Sequence, residues 1–201
     1  MLLKHMAKIK LYSQARVPTK YGDFDMLAFA QSDGDKMPHV AIVSPEMDIS
    51  SPVMLRIHSE CMTGDVFHSY KCDCGDQLDF SFKMIQEHHG IIIYLRQEGR
   101  GIGLIEKLKA YKLQEQGYDT VDANLMLGHQ ADQRDYGDAI SILQQLNITE
   151  VDLLTNNPEK LNHLRKEGIQ VRNRIPIVLP AHDASKGYFE TKKNRMGHLY
   201  D

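Results

Sequence analysis

The sequence lacks several features, and each absence argues against a class of protein. No apolar run approaches the roughly 20 residues that a membrane-spanning helix needs. The formal net charge is −3, so the chain lacks the basic excess typical of proteins that bind DNA or RNA through their charge. The N-terminus carries basic residues but no apolar stretch of secretory length, so we expect no signal peptide. We therefore predict a cytoplasmic protein.

Cysteine is also scarce, and all three cysteines lie close together, at Cys61, Cys72 and Cys74. An odd number of thiols cannot all pair in disulfides. Three thiols in so short a span are typical of a zinc site, and three protein ligands leave one position open for water, as in catalytic zinc sites. Two alternatives remain open at this point. His58 or His68 could complete a purely structural zinc site, or Cys72 and Cys74 could be reduced core thiols without a metal.

The hydrophobic pattern predicts an α/β protein of the mixed α+β type. Short alternating or continuous apolar runs predict strands at 7–12, 23–29, 39–44, 52–58, 91–95, 151–154 and 169–175. Helical spacing predicts helices at 76–88, 104–116, 137–146 and 159–167. The last of these helices lies between two strands and indicates a βαβ unit. We predict one compact domain over residues 1–201, with mixed sheets flanked by helices and roughly the last 10 residues flexible.

A glycine-rich loop follows the predicted buried strand at 91–95 and precedes a helix. Its sequence is R-Q-E-G-R-G-I-G-L, at residues 96–104. Glycine lets backbone N–H groups approach an anion, a helix N-terminus favours negative charge, and arginine offers paired donors to phosphate oxygens. The string is neither a Walker motif nor a dinucleotide fingerprint. A phosphate loop and a flexible turn with solvated arginines are both compatible with it.

Taken together, the motifs resemble the GTP cyclohydrolase II family, in its monofunctional form. The matching strings are R-I-H-S-E-C-x-T-G-D, C-D-C-G-D-Q-L, R-Q-E-G-R-G-I-G-L, K-A-Y-x-L-Q, G-Y-D-T-V-D-A-N, L-G-x-x-x-D-x-R-D-Y, L-L-T-N-N-P-x-K and K-x-x-x-M-G-H. They follow the family order from about residue 50 to residue 198. A set of this length is highly specific.

The resemblance implies a set of site residues, a substrate and two metals. Zinc, one ion per chain, would be held by Cys61, Cys72 and Cys74. The residues expected to contact GTP are Arg56, Ile57, His58, Ser59, Glu60, Gln77, Glu98, Gly99, Arg100, Thr120, Thr155 and Lys160. The residues expected to take part in the chemistry are Tyr111, Asp132 and Arg134. The resemblance also implies Mg²⁺ with the triphosphate and a homodimer.

The implied reaction is the first step of riboflavin biosynthesis. GTP is hydrolysed with release of formate from C8 and of pyrophosphate, which gives 2,5-diamino-6-(5-phospho-D-ribosylamino)pyrimidin-4(3H)-one. Arg134 is described in the family as a nucleophile whose proton passes to Asp132. An arginine retains its proton in proteins, so a bidentate clamp on the α-phosphate is physically easier.

Two other interpretations remain. A zinc-stabilised binding module without catalysis would need a fourth zinc ligand and a basic face, and the acidic balance and missing fourth cysteine count against it. A related enzyme would stop at a formamide or use another purine nucleotide. The presence of Tyr111 favours full release of formate, by resemblance.

Overall fold

The structure is a computed structural model that describes residues 9–130, 133–180, 197 and 199. Its strands are β1 (Lys10–Thr19), β2 (Gly22–Ala30), β3 (His39–Val43), β4 (Val53–Ser59), β5 (Ile91–Leu95), β6 (Glu150–Leu154) and β7 (Gln170–Ile175). Its helices are α1 (Met62–Asp65), α2 (Cys74–Glu87), α3 (Gly103–Gln114), α4 (Thr120–Met126), α5 (Gly137–Gln145) and α6 (Pro158–Lys166), and a 3₁₀ turn spans Glu98–Gly101.

The seven strands form one mixed sheet in the order β1-β2-β3-β5-β4-β6-β7. Strand β1 pairs with β2, β2 with β3, and β3 with β5, and all three pairs are antiparallel. Strand β4 pairs in parallel with both β5 and β6, and β6 pairs in parallel with β7. Within the described residues, no helix is long and apolar enough to cross a membrane.

Alternation along the central strands sends their side chains into two hydrophobic clusters, one on each face of the sheet. On β4, Leu55 and Ile57 enter the cluster that also contains residues of α5 and α6. Met54 enters the cluster that contains Ile85 of α2. Because side chains on a strand alternate between its faces, Arg56 and His58 belong to the same face as Met54. The sequence of β4 therefore turns two polar side chains toward the α2 side.

The order of the strands creates a crevice at their carboxyl ends. The chain leaves β4 for β5 through α2, and it then returns past β4 to β6 through α3, α4 and α5. These two connections run in opposite directions along the sheet. Open α/β sheets bind ligands at such a point, outside the carboxyl ends of the strands. The fold therefore brings together the segments that follow β4, β5 and β6.

The predicted fold class is confirmed, with one mixed sheet instead of several. The predicted βαβ unit is β6-α6-β7, and Asn157 caps α6 by accepting a hydrogen bond from the Glu159 N–H. Helix α4 was not predicted, although Asp119 caps it by accepting hydrogen bonds from the N–H groups of Val121 and Asp122. The predicted flexible end lies almost wholly outside the described residues.

Replacing Ile93 with alanine tests the central position of β5. Ile93 is 0% exposed in the sheet core, so Ile93→Ala should lower the free energy of unfolding by about 2–5 kcal/mol. Ile105 on α3 is 72% exposed, so the matched Ile105→Ala variant should stay within about 0.5 kcal/mol of the parent. Urea unfolding followed by circular dichroism measures both. Equal effects of the two substitutions would contradict the described core.

Candidate active site

A cleft opens where the segments that follow β4, β5 and β6 meet. Its lining residues are Arg56, His58, Ser59, Cys74, Gln77, Arg100, Arg134, Thr155, Asn156, Asn157 and Lys160. Four of these side chains are cationic, and none of the lining residues that the structure describes is acidic. The chain as a whole carries a net charge of −3. The cleft is therefore a local concentration of positive charge on an acidic protein, which suits an anionic ligand.

Arg56 is held rigidly at the base of this cleft. Its guanidinium donates to the Leu154 carbonyl at 3.1 Å and to the Gln77 side-chain oxygen at 2.7 Å. The Gln77 amide in turn donates to Asp73, so the arginine is fixed from both sides. Burial lowers the pKa of Arg56 to about 10, which still leaves it charged at neutral pH. Within the described residues, its buried Nε has no hydrogen-bond partner.

His58 is the second polar residue of β4 in the cleft, and a buried carboxylate orients it. Its Nε2 lies 3.1 Å from both carboxylate oxygens of Asp65. The ring stacks on Tyr94, with ring centroids 5.4 Å apart. Burial lowers the pKa of His58, although Asp65 opposes that effect, so the neutral ring is favoured. Its buried Nδ1 has no partner among the described residues.

The same Asp65 carboxylate also holds the first cysteine. It accepts a hydrogen bond from the Cys61 backbone N–H at 2.9 Å and another from the Tyr94 hydroxyl at 2.8 Å. One buried side chain therefore fixes His58 in the cleft and Cys61 in the cysteine cluster. Such a shared hydrogen-bond network is strong because it lies away from water.

The three cysteines converge, as their spacing suggested. The Sγ atoms of Cys61, Cys72 and Cys74 all lie within 4.8 Å of one another, and those of Cys61 and Cys72 are 3.5 Å apart. Zinc–sulfur bonds of about 2.3 Å in a tetrahedral site place sulfur atoms about 3.8 Å apart. The donor set and its spacing therefore fit a zinc ion.

Two glycines permit this convergence. A Cβ atom added to Gly75 would lie 2.4 Å from the backbone oxygen of Gly64, and one added to Gly64 would lie 2.9 Å from the Cys72 sulfur. The turn after Cys61 and the start of α2 at Cys74 therefore touch through their backbones. Any side chain at Gly75 would push the two halves of the cluster apart.

Neither histidine considered as a fourth ligand joins the cluster. Within the described residues, the only group of thiol, imidazole and carboxylate atoms spaced to hold a metal consists of the three cysteines. His58 is engaged with Asp65 instead. A zinc ion here would have three protein ligands and an open coordination position.

The three thiols influence one another's ionisation. Hydrogen bonding from Cys72 and Cys74, assisted by Lys107, lowers the pKa of Cys61 far below its ordinary value. Hydrogen bonding to Cys61 raises the pKa of Cys72 to about 12, and it raises that of Cys74 as well. The protein alone therefore favours one thiolate among three. A coordinated divalent cation would favour three thiolates, because it deprotonates the thiols that bind it.

Tyr111 approaches the cysteine cluster through Thr63. The Tyr111 hydroxyl lies 3.4 Å from the Thr63 hydroxyl, which lies 3.6 Å from the Cys61 sulfur. Burial raises the pKa of Tyr111 to about 12. The phenol is therefore protonated at neutral pH and can donate a proton or a hydrogen bond.

The glycine-rich loop contributes to both parts of the site. Gly99 and Arg100 have positive φ angles of 63° and 65°, and this uncommon conformation for an arginine accompanies its position in the cleft wall. The Glu98 side chain instead lies beside the cysteine cluster. Its carboxylate accepts hydrogen bonds from the N–H groups of Met62 and Gly99 and from the Lys107 ammonium.

The structure places most of the predicted site residues together, in two adjoining groups. In the cleft wall are Arg56, His58, Ser59, Gln77, Arg100, Arg134, Thr155 and Lys160. Beside the cysteines are Glu98, Gly99 and Tyr111. Cys74 belongs to the cysteine cluster and also lines the cleft, so the two groups share a wall.

Three other predicted residues have other contacts in the structure, and a fourth is not among the described residues. The Glu60 carboxylate pairs with Arg96 at 3.0 Å, and the Ile57 side chain is in the core while its carbonyl accepts from Lys160 at 2.7 Å. Thr120 begins α4, where its hydroxyl accepts a hydrogen bond from Gln114 at 3.4 Å. Asp132 lies outside the described residues.

The sequence analysis missed some residues of the site. Asn156 and Asn157 line the cleft, and Asp65 and Lys107 support the cysteines. One signal was available for Lys107, because it lies four residues before Tyr111 and therefore on the same face of α3. Nothing in the sequence indicated that Asp65 joins two strands.

Comparison with known proteins identifies the relatives of this chain. The family model described as GTP cyclohydrolase II matches residues 10–176. The chain is 48% identical over 193 residues to the GTP cyclohydrolase-2 of Picrophilus torridus, covering 96% of this chain and 100% of that protein. It is 51% identical to the riboflavin biosynthesis protein RibBA of Staphylococcus epidermidis, and 47% identical to that of Staphylococcus saprophyticus.

These two staphylococcal matches cover 95% and 96% of this chain but 48% and 49% of the relatives. The chain thus spans about half their length. The family model covers most of the chain, and the Picrophilus relative matches it nearly end to end. The chain belongs to the GTP cyclohydrolase II family.

Proposed function

We propose that this protein catalyses the zinc-dependent hydrolysis of GTP in riboflavin biosynthesis, with release of formate from C8 and of pyrophosphate. The product would be 2,5-diamino-6-(5-phospho-D-ribosylamino)pyrimidin-4(3H)-one. The observation that carries the proposal is the shared wall at Cys74, which joins a cationic cleft to a three-cysteine metal cluster. A nucleotide has the matching division, with an anionic triphosphate at one end and a purine ring at the other.

The cationic cleft would bind the triphosphate. GTP carries about four negative charges near neutral pH, because each phosphate group retains at least one. Arg100, Arg134 and Lys160 line the cleft and would form charge-assisted hydrogen bonds to phosphate oxygens. Mg²⁺ would share this neutralisation, as it does in other phosphoryl-transfer sites. The cleavage that releases pyrophosphate needs this charge neutralisation more than it needs a nucleophilic side chain.

The cysteine end of the cleft would face the imidazole ring of the guanine. Zinc held by Cys61, Cys72 and Cys74 would supply Lewis-acid activation for hydrolysis at C8. Tyr111 remains protonated and lies one hydroxyl away from the Cys61 sulfur, so it would donate or orient a proton as the ring opens. The Nδ1 of His58 and the Nε of Arg56, which have no hydrogen-bond partner among the described residues, would be completed by polar atoms of the substrate.

Arg134 would act as a clamp on the α-phosphate, with Asp132 orienting it. An arginine side chain keeps its proton, and its planar donors match two phosphate oxygens. Its neighbours in the cleft wall include Arg100 and Lys160, which also favours a role in charge stabilisation. A nucleophilic Arg134 would first have to lose its proton, which a guanidinium retains in proteins.

A homodimer and a cytoplasmic location stay predictions. They rest on the family resemblance and on the character of the sequence.

The direct test measures zinc and both products together. The purified protein should contain about one zinc per chain, and with GTP and Mg²⁺ it should release formate and pyrophosphate in equal amounts. Atomic absorption, a formate dehydrogenase assay and a coupled pyrophosphate assay provide the three readings. Pyrophosphate without formate would indicate a relative that stops at the formamide. Zinc with neither product would contradict an enzyme and favour a binding module.

The clamp and the nucleophile differ in what can be trapped on Arg134. Both roles predict that Arg134→Ala loses roughly 10²-fold or more in turnover, whereas Arg165→Ala, on the exposed side of α6, should keep parental activity. If Arg134 is a clamp, rapid alkaline quenching of the parent with GTP labelled at the α-phosphate should leave no label on the protein. A phosphoramidate-linked nucleotide mapped to Arg134 would establish the nucleophile instead.

Gly75 tests the backbone contact that closes the cysteine cluster. In Gly75→Ala the new Cβ would meet the Gly64 carbonyl oxygen, so zinc affinity should fall by about tenfold or more. The matched control is Gly34→Ala, because a Cβ there has nothing within 4 Å. Competition with a chromophoric chelator measures both variants. Parental zinc affinity in Gly75→Ala would show that the contact does not set the cluster geometry.

A further inference from the structure

Lys107 is a buried lysine at the side of the cysteine cluster, and no role in the proposed reaction accounts for it. The residue is 9% exposed, whereas lysine is among the residues least often buried. Its ammonium lies 3.0 Å from the Cys61 sulfur and 2.8 Å from Glu98. Burying a charge is costly unless partners compensate it. The position therefore calls for a function that needs a fixed cation.

Glu98 determines where this ammonium points. One carboxylate oxygen of Glu98 accepts from the Met62 N–H at 2.5 Å, and the other accepts from the Gly99 N–H at 2.6 Å as well as from Lys107. The carboxylate is thus tied to the backbone that follows Cys61 and to the glycine-rich loop. A lysine has three donors, and with one on Glu98 a second reaches Cys61.

The third side of the ammonium faces Tyr111. The Lys107 nitrogen lies 5.8 Å from the centroid of the Tyr111 ring, on the same face of α3. The cation therefore contacts a metal-ligating sulfur, a carboxylate and the ring of the predicted proton donor. This surrounds Lys107 with groups of the site and separates it from water.

The charge of a loaded site explains why a cation is useful here. Three thiolates and one divalent zinc leave an excess of one negative charge. An N–H···S bond from a cation offsets that charge and draws electron density from the sulfur, which is how neighbouring groups commonly tune a metal site. Lys107 would therefore balance the charge of the zinc-bound cluster and hold the Cys61 sulfur in the position that the metal needs.

We propose that Lys107 is a positioning residue of the metal site, which orients the Cys61 sulfur and neutralises the excess charge of the zinc-bound cluster. The inference rests on the zinc site of the proposed function and adds a residue to it. Because Glu98 holds Lys107 in place, Glu98 would also support the metal site.

Three substitutions of Lys107 test the proposal. Lys107→Met removes the charge and the donor, Lys107→Gln keeps a donor without charge, and Lys107→Arg keeps both. We expect zinc affinity, measured by chelator competition at one pH, to fall about 10- to 100-fold in the methionine variant. The glutamine variant should fall less, and the arginine variant should recover most of the affinity.

Lys109 provides the matched control. It lies on the same helix and also forms an ion pair with a glutamate, Glu106, at 2.6 Å. Unlike Lys107, it is exposed, and this ion pair does not involve the cysteines. Lys109→Met should therefore bind zinc within twofold of the parent. Circular dichroism establishes that each variant is folded, and Lys107→Gln suits the polar surroundings if Lys107→Met does not fold.

A second reading separates positioning from a general structural effect. In protein loaded with Co²⁺, the sulfur-to-cobalt charge-transfer band reports the electron density on the sulfurs. The band should move to longer wavelength in Lys107→Met and return toward the parental position in Lys107→Arg. Weakened binding with an unchanged band would show a merely structural role and overturn the proposal.

The outcomes also separate this inference from the proposed function. Parental zinc affinity in both Lys107→Met and Lys107→Gln would overturn the role of Lys107 and leave the zinc site intact. A parent protein that binds no zinc at the cysteines would contradict the proposed function itself, and the inference with it.

Discussion

The carboxylate of Asp65 is the interaction on which both halves of the site depend. It accepts hydrogen bonds from His58 in the cleft, from the backbone of Cys61 in the cysteine cluster and from the Tyr94 hydroxyl on β5. The carboxylate is almost fully buried, so each of these bonds forms in a medium that strengthens it. Asp65 thereby connects strand β4, strand β5 and the turn at Cys61 through one side chain. A displacement of Asp65 would move the first cysteine and the cleft histidine together.

The second constraint is that the positively charged side chain of Arg56 is buried away from water. Arg56 is 5% exposed, and the partners that hold it at hydrogen-bond distance are the Leu154 carbonyl and the Gln77 amide oxygen, which are neutral. Within the described residues, no carboxylate is hydrogen-bonded to Arg56, although Asp73 next to Gln77 raises its pKa electrostatically, so the guanidinium can still attract an anion that enters the cleft. A protein pays in stability for such a cation, and a triphosphate ligand would offset that cost. Binding and stability should be coupled at this site.

Much of this arrangement followed from local pattern. The three cysteines were recognisable from spacing, and strands were predicted where β4, β5 and β6 lie, although the strand order that brings the segments after them together came from the structure. Alternation on β4 then explains why Arg56 and His58 share a face. Asp65 and Lys107 were not predictable in the same way, because their roles depend on which sulfur, ring and carboxylate the fold brings beside them. A sequence pattern indicates which segments are helices or strands and which of their residues are buried. It does not indicate the distances between side chains on different elements.

The turn before α4 contains a local sequence signal that the sequence analysis overlooked. Asp119 caps this helix through two backbone N–H groups, and this is a familiar local signal, yet the surrounding polar residues obscured it. The resemblance predicts that Thr120 contacts the nucleotide; the structure shows that its hydroxyl accepts a hydrogen bond from Gln114, and the nucleotide contact stays a prediction. A motif identifies a position in the chain, whereas its contacts depend on the tertiary structure.

The most direct measurement is anomalous diffraction at the zinc edge from crystals grown with zinc and a GTP analogue that resists cleavage between the α- and β-phosphates. We expect one anomalous peak bonded to Cys61, Cys72 and Cys74, the triphosphate among Arg100, Arg134 and Lys160, and C8 of the guanine facing the metal. A metal with four protein ligands, or a nucleotide bound away from the cysteine cluster, would contradict a single site in which the metal and the cationic cleft act on one GTP molecule.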